Sequence, residues 1–140
     1  ELKAAPLFGV GTDDSHNYHG GATTPGRGWV MVRAAKLDAN TLVEAMQRGD
    51  FYASTGVLLD DVSFDKTSRT LRLKIKAQPG AKVRTEFRGT PRARSDSLAP
   101  SSPLPGDDLY ARAIVTPDQP MVNPPQPDHV QKAWTQPVGW

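Results

Sequence analysis

The feature of this sequence that most constrains its fold is a strict alternation of apolar and polar residues in two neighbouring segments. Residues 71–77 read LRLKIKA, and residues 83–88 repeat the pattern as VRTEFR. Such a period of two is typical of β-strands that turn one face to a core and the other to water. The Pro79-Gly80 pair between the segments suits the centre of a type II turn. The two segments are therefore predicted to form a β-hairpin, with a lysine of the first strand opposite Glu86.

Further short segments rich in apolar and β-branched residues predict more strands, at residues 29–32, 57–64, 110–115 and 132–135. Antiparallel strands with one polar face need a second layer, so the natural packing is a small β-sandwich. Two stretches rich in Pro, Ser and Asp, residues 90–108 and 117–131, are predicted to be long surface loops.

One helix is predicted between the strand at residues 29–32 and the later strands. Asp38 suits its N-cap, and Leu42, Val43 and Met46 form an apolar stripe at helical spacing. Gly49 suits the position just after the helix, where a left-handed conformation is common. The stripe is interpreted as ordinary core packing.

Length and charge exclude several classes of protein. The 140 residues fit one domain, and 37% hydrophobic content is enough for a core. With 17 basic and 15 acidic residues, the net charge of +2 makes no electrostatic case for binding nucleic acid or a membrane surface. The sequence contains no run of about 18 apolar residues, the length that a membrane-spanning helix needs. The absence of cysteine excludes disulfides and cysteine-based metal sites.

The strongest candidate site is the acidic and histidine-rich run that follows the apolar residues 5–10. In an extended segment Asp14 and His16 leave the same face, so their side chains can converge on one metal ion. A carboxylate with an imidazole suits Zn, Mn, Fe or Ni. Asp13 points the opposite way in that geometry, and it and His19 are candidate auxiliary ligands. In the alternative interpretation Asp13 or Asp14 caps the next turn and the histidines are solvated.

Three separated blocks around this run, residues 9–16, 25–34 and 42–56, resemble the C-terminal end of metal-dependent phosphoesterases of the PHP (polymerase and histidinol phosphatase) superfamily. Residues 133–137 are similar to the end of the small β domain that follows the barrel in many bacterial members. The resemblance implies a distorted TIM-like barrel with a multinuclear metal centre. The last metal-binding motif of the family, Asp-x-His, falls on Asp14 and His16.

The resemblance also implies a domain organisation and a function. The fold class is α+β, mainly β: residues 1–56 would be the last strand and helix elements of the barrel, and residues 57–140 a β-sandwich accessory domain. The family's earlier His-x-His and further ligands have no counterpart here, so the chain is expected to be the tail of a longer, bacterial protein. The parent would hydrolyse a phosphorylated small molecule with Zn, Mn or Fe. This part alone is expected to be inactive. Whether it binds a metal ion without the rest of the protein is left open.

Other residues are weaker candidates for binding. Arg27, Ser54 and Thr55 could contact the substrate phosphate, although Ser54 and Thr55 also suit ordinary turn chemistry. An alternative function is a noncatalytic β module that binds glycan or protein, with the three tryptophans at positions 29, 134 and 140 as a stacking platform.

The segment 1–28 has three expected fates outside a complete barrel. Its apolar run would fray, pair with a second copy of the chain through an exposed strand edge, or dock on the β domain. Pairing would make a homodimer. Localisation is not predicted, beyond the expectation that an upstream signal peptide would mean export.

Overall fold

A computed structural model of the chain contains two antiparallel β-sheets and one α-helix in the residues that it describes, which are 6–21, 23–89, 93–97, 101–104, 106 and 108–140. For residues 93–97 only the backbone is described. The helix α1 spans Ala39–Gln47. The strands are β1 (Trp29–Val32), β2 (Phe51–Ser54), β3 (Leu59–Asp65), β4 (Thr70–Ile75), β5 (Val83–Gly89), β6 (Ala93–Ser97), β7 (Ser101–Pro103), β8 (Ala111–Pro117) and β9 (Ala133–Thr135). The expectation of a mainly β chain is confirmed.

The larger sheet has six strands in the order β1-β2-β9-β8-β5-β6, and the smaller has three in the order β3-β4-β7. β2 pairs with β9, so that Tyr52 lies opposite Thr135. The large sheet therefore runs across the boundary predicted at residue 56, with strands from both sides of it as neighbours.

One cluster of buried side chains joins the two sheets. Leu71 and Leu73 of β4 contribute from the small sheet, and Phe87, Ala113 and Val115 contribute from the large one. The residues between these positions are exposed or half-buried. The period-two pattern thus has the predicted meaning, because alternate residues enter the core.

The predicted hairpin between β4 and β5 is wrong. β4 pairs with β3 and β7, whereas β5 pairs with β6 and β8, so the two strands belong to different sheets. The turn itself is present: the Ala81 N–H donates to the Gln78 carbonyl at 3.1 Å, and Gly80 has a φ of +78°. Glu86 lies opposite Ile114 on β8 rather than opposite a lysine. Alternation specifies which face of a strand is buried, but it does not specify the neighbouring strand.

The predicted helix is confirmed, with one change in the face that it buries. Asp38 is the N-cap, and its Oδ1 accepts from the Thr41 N–H at 3.1 Å. Ala45 is fully buried, whereas Val43 is 54% exposed, so the predicted stripe is wrong at Val43. The buried side follows the spacing i, i+3 and i+4 from Leu42 through Ala45, and Val43 lies beside it.

No helix in the described ranges is long and apolar enough to cross a membrane.

The two predicted loops differ in outcome. Residues 90–108 contain β6 and β7, so the prediction of a loop there is wrong in part. These two strands lie at sheet edges, where backbone hydrogen bonds to one neighbour suffice and no apolar pattern is needed. Pro117 is the last residue of β8, and in residues 118–131 the structure is turns and one isolated bridge, Pro120 to Val130, as predicted.

Candidate functional site

The segment that leads to the candidate metal ligands is docked on the large sheet. The Phe8 ring packs against the rings of Phe51, at a centroid distance of 6.2 Å, and Trp140, at 5.9 Å. The Gly9 N–H donates to Gln136 Oε1 at 2.9 Å, and Gln136 Nε2 donates back to the Gly9 carbonyl at 2.8 Å. Of the three expected fates of this segment, docking is the one found here. Pairing with a second copy stays a prediction.

Asp13 fixes the loop that follows. Its carboxylate accepts hydrogen bonds from the backbone N–H groups of Gly26 at 3.0 Å, Arg27 at 2.6 Å and Gly28 at 2.6 Å. A Cβ at Gly28 would lie 3.0 Å from the Thr12 carbonyl oxygen, so a larger residue there would push the two sides of the loop apart. Asp13 therefore caps a turn, as the alternative interpretation of the sequence expected.

These hydrogen bonds also set the ionisation of Asp13. The bonds from Gly28 and Gly26, followed by the bond and charge of Arg27, hold the pKa of the Asp13 carboxyl below its ordinary value. Its negative charge is therefore part of the loop structure.

Asp14 and His16 lie on the outside of the same loop. Asp14 is not extended as the sequence predicted, because its φ of +51° places it in the left-handed region. Their side chains are still close together, with 3.9 Å between Asp14 Oδ1 and His16 Nδ1. Both are open to solvent, at 86% exposure for the Asp14 side chain and 70% for that of His16.

The backbone determines which nitrogen of His16 carries a proton. His16 Nδ1 lies 2.7 Å from the Asp14 carbonyl oxygen. Since a carbonyl can only accept, Nδ1 must be the donor, and in the neutral imidazole Nε2 then holds a lone pair. Histidines that bind metals commonly use this arrangement, in which one ring nitrogen donates to a backbone carbonyl and the other is the ligand.

The other candidate ligand, His19, lies further along the loop and is exposed. In the part of the chain that the structure describes, no three His, Cys, Asp or Glu side chains form a group that could hold a metal ion. Asp13 is turned towards the backbone of residues 26–28, away from a shared site with Asp14. The structure thus brings together Asp14 and His16 among the predicted ligands.

The three candidate phosphate contacts have local partners. Ser54 is 1% exposed, and its hydroxyl donates to the Val57 carbonyl at 2.6 Å. Thr55 Oγ1 accepts from the Lys132 N–H at 2.8 Å. The Arg27 N–H donates to Asp13 as described above. The hydroxyls of Ser54 and Thr55 therefore serve the turn chemistry that the sequence analysis gave as their alternative role.

A residue that the sequence analysis did not single out supports the same loop. Asn123, in the proline-rich stretch 117–131, donates from Nδ2 to Thr24 Oγ1, and the same nitrogen lies 3.4 Å from the Pro25 carbonyl oxygen. The contact joins positions 99 residues apart. Nothing in the local sequence of a single asparagine indicates such a partner, because the contact depends on the tertiary fold.

Comparisons of this chain with protein-family models, with curated proteins and with solved structures gave no match.

The lowered carboxyl pKa values predict how stability depends on pH. Hydrogen bonds from the Thr41 hydroxyl to Asp38 and from the Ser68 N–H to Asp65 lower the pKa of these two carboxyls, as in Asp13. A carboxyl with a lowered folded-state pKa stabilises the fold above its unfolded-state pKa, and this contribution is lost as the pH falls through the folded-state value. We expect the free energy of unfolding to be level above about pH 5 and to fall below about pH 4.

Urea melts at a series of pH values measure this directly, and carbon NMR of the carboxyl groups assigns the titration to individual residues. A free energy of unfolding that rises on acidification below about pH 4 would contradict the assignment.

Proposed function

We propose that this chain is the C-terminal part of a metal-dependent phosphoesterase of the PHP superfamily, and that it contributes Asp14 and His16 to a divalent-metal centre. In this proposal the barrel lies upstream. Residues 1–56, expected from the sequence to be its last elements, share a sheet with the accessory domain at residues 57–140, because β2 pairs antiparallel with β9. The substrate is a phosphorylated small molecule. The remaining ligands of the centre come from outside this chain.

The observation that carries the proposal is the geometry of His16. Its Nδ1–H donates to the Asp14 carbonyl, which leaves Nε2 as a ligand nitrogen, and the Asp14 carboxylate lies close to the same ring, with Oδ1 3.9 Å from Nδ1. An imidazole nitrogen and a carboxylate oxygen suit Zn, Mn or Fe. The donor set therefore fits the expected group of metals.

The backbone of Asp14 gives a second argument. Few residues other than glycine adopt the left-handed region; aspartate does so in turns, and such positions cluster at functional sites. Apart from their contact with each other, the side chains of Asp14 and His16 form no hydrogen bond or ion pair with the described residues. The pair makes no contact that the fold needs, and it is therefore open to a ligand from solvent.

Each residue of the loop has a distinct role in this proposal. A bound metal ion would polarise a phosphoryl oxygen and supply a hydroxide near neutral pH. Asp14 and His16 hold the ion, whereas Asp13 and Asn123 keep the loop in shape through their bonds to residues 24–28. Arg27 belongs to this loop, and its side chain is the candidate contact to the phosphate.

A paramagnetic ion tests the site on the chain itself. Mn²⁺ added to the labelled protein is expected to broaden the backbone resonances of residues 13–17 first, with weak affinity because the chain offers only two ligands. Asp14→Asn and His16→Gln should each abolish the selective broadening, while His129→Gln, in the stretch 117–131, should leave it intact. Broadening that centres on other residues, or that survives both substitutions, would overturn the proposal.

The same count of ligands predicts that this chain alone is inactive as a phosphatase. A catalytic zinc normally takes three ligands from the protein, so an ion held by Asp14 and His16 stays largely hydrated. Release of phosphate from a generic phosphomonoester, with Mn²⁺ or Zn²⁺ added, should not exceed that of the metal ion alone. Robust hydrolysis that Asp14→Ala removes would show that the chain carries a complete centre.

A second candidate function is a noncatalytic β module, and one observation favours it. Trp134 and Trp140 line the same groove, whereas Trp29 does not line it. Metal analysis separates the two functions when the purified chain is compared with the full-length parent. Stoichiometric metal in the parent supports the phosphoesterase, and a parent without metal supports the module.

A further inference from the structure

A groove of about 900 Å³ lies between the docked segment, residues 6–12, and strands β2, β8 and β9 of the large sheet. Its apolar lining includes Leu7, Val10, Leu109, Trp134 and Trp140, of which all but Trp134 are well exposed. Grooves of this size are typical of sites for small organic ligands.

Strand geometry explains why an aromatic ring and a cation line the same groove. Ala133 and Thr135 of β9 are buried, so the side chain of Trp134 between them leaves the opposite face of the sheet. On β8, Ala111 and Ala113 are buried and Arg112 lies between them. Both side chains therefore project from the face away from the core, and both line the groove.

The charge of the groove has one sign. Among the described residues that line it, Arg112 is the only one with a charged side chain. Its guanidinium forms no hydrogen bond or ion pair with the described part of the chain. The residue directly opposite it on β5 is Arg88, whose charge is paired with Glu86. The groove thus presents one positively charged side chain, with no acidic partner among the described residues, beside an apolar wall.

We propose that this groove binds a small organic anion with a flat apolar body. The anionic group pairs with the Arg112 guanidinium, whose planar donors suit carboxylate, sulfonate or phosphate oxygens. The apolar body packs against Trp134 and Trp140, where aromatic side chains offer a large contact area. This site is separate from the proposed metal ligands, because neither Asp14 nor His16 lines the groove.

Two fluorescent probes that differ only in charge test the proposal. Anilinonaphthalene sulfonate carries an anionic group on a flat aromatic body, and phenylnaphthylamine is the same body without it. The wild-type chain is expected to bind both, and the anionic probe more tightly. Arg112→Gln should weaken binding of the anionic probe about tenfold, because a charge-assisted hydrogen bond is lost. The affinity for the neutral probe should not change.

Matched variants guard against an indirect effect. Arg72→Gln removes an exposed cation from β4 in the other sheet and should change neither affinity. Arg112→Lys keeps the charge and should recover part of the loss. Because Arg112 is exposed, thermal melts should show its variants folded as the wild type. If Arg112→Gln lowers both affinities together, or lowers neither, the proposal is overturned.

Discussion

Replacement of Phe87 with alanine is expected to lower the free energy of unfolding by about 3–5 kcal/mol. The Phe87 side chain is 2% exposed and lies in the cluster that joins the two sheets. Its removal would leave a cavity between the sheets in addition to the lost transfer of apolar surface from water. Urea-induced unfolding followed by circular dichroism measures the change as a lower midpoint with an unchanged slope.

Val122 offers the matched control for this experiment. It is 92% exposed in the stretch 117–131, so Val122→Ala should change stability by less than about 0.5 kcal/mol. Leu73→Ala provides a second core variant, with an expected loss of about 2–5 kcal/mol. If Phe87→Ala and Val122→Ala had the same unfolding midpoint in urea, the cluster around Phe87 would not hold the sheets together.

Asp13→Asn is expected to lower the free energy of unfolding by about 2–3 kcal/mol, since hydrogen bonds to a charged acceptor contribute more than neutral ones. The carboxylate accepts from three backbone N–H groups of residues 26–28. An asparagine keeps only one acceptor oxygen; with that oxygen in the Oδ1 position, its NH₂ group would face the Gly26 N–H donor. Urea melts near neutral pH measure the loss.

The neighbouring Asp14→Asn is the control, because it makes the same chemical change one residue away. The Asp14 side chain is exposed, and asparagine tolerates the left-handed backbone at this position. Its stability should stay within about 0.5 kcal/mol of the wild type. If the two variants lost equal stability, the division between a structural Asp13 and a ligand Asp14 would be wrong.

Local patterns in the sequence predicted the elements of this fold better than their arrangement. The strand at residues 29–32, the Asp38 cap and the buried alternation around Leu73 depend on neighbours within a few residues, and all three are found. The pairing of β4 and β5 was wrong because strands with the same alternation can pair in either sheet. The edge strands β6 and β7 escaped detection because their pairing uses backbone groups, which every residue has.

The same difference between local and long-range information applies to the candidate site. Residue type alone predicts Asp13, Asp14 and His16 as candidate site residues, with a cap as one role for the first two. The cap could not be assigned to Asp13 from local sequence, because the acceptor and its donors are separated by 13 to 15 residues. Asn123 and Arg112 were missed since their roles depend on contacts made only when distant strands come together.

The bond between Gly9 and Gln136 has a consequence for the synthesis of this chain on the ribosome. The two residues are 127 positions apart, and Phe8 likewise needs Trp140 as its partner. At roughly 5–20 residues per second, about 6–25 s pass between the translation of the first partner and that of the second. During this interval the nascent Phe8 has no Trp140 to cover it. The segment that carries Asp14 and His16 thus leaves the ribosome before the residues that hold it on the large sheet have been made.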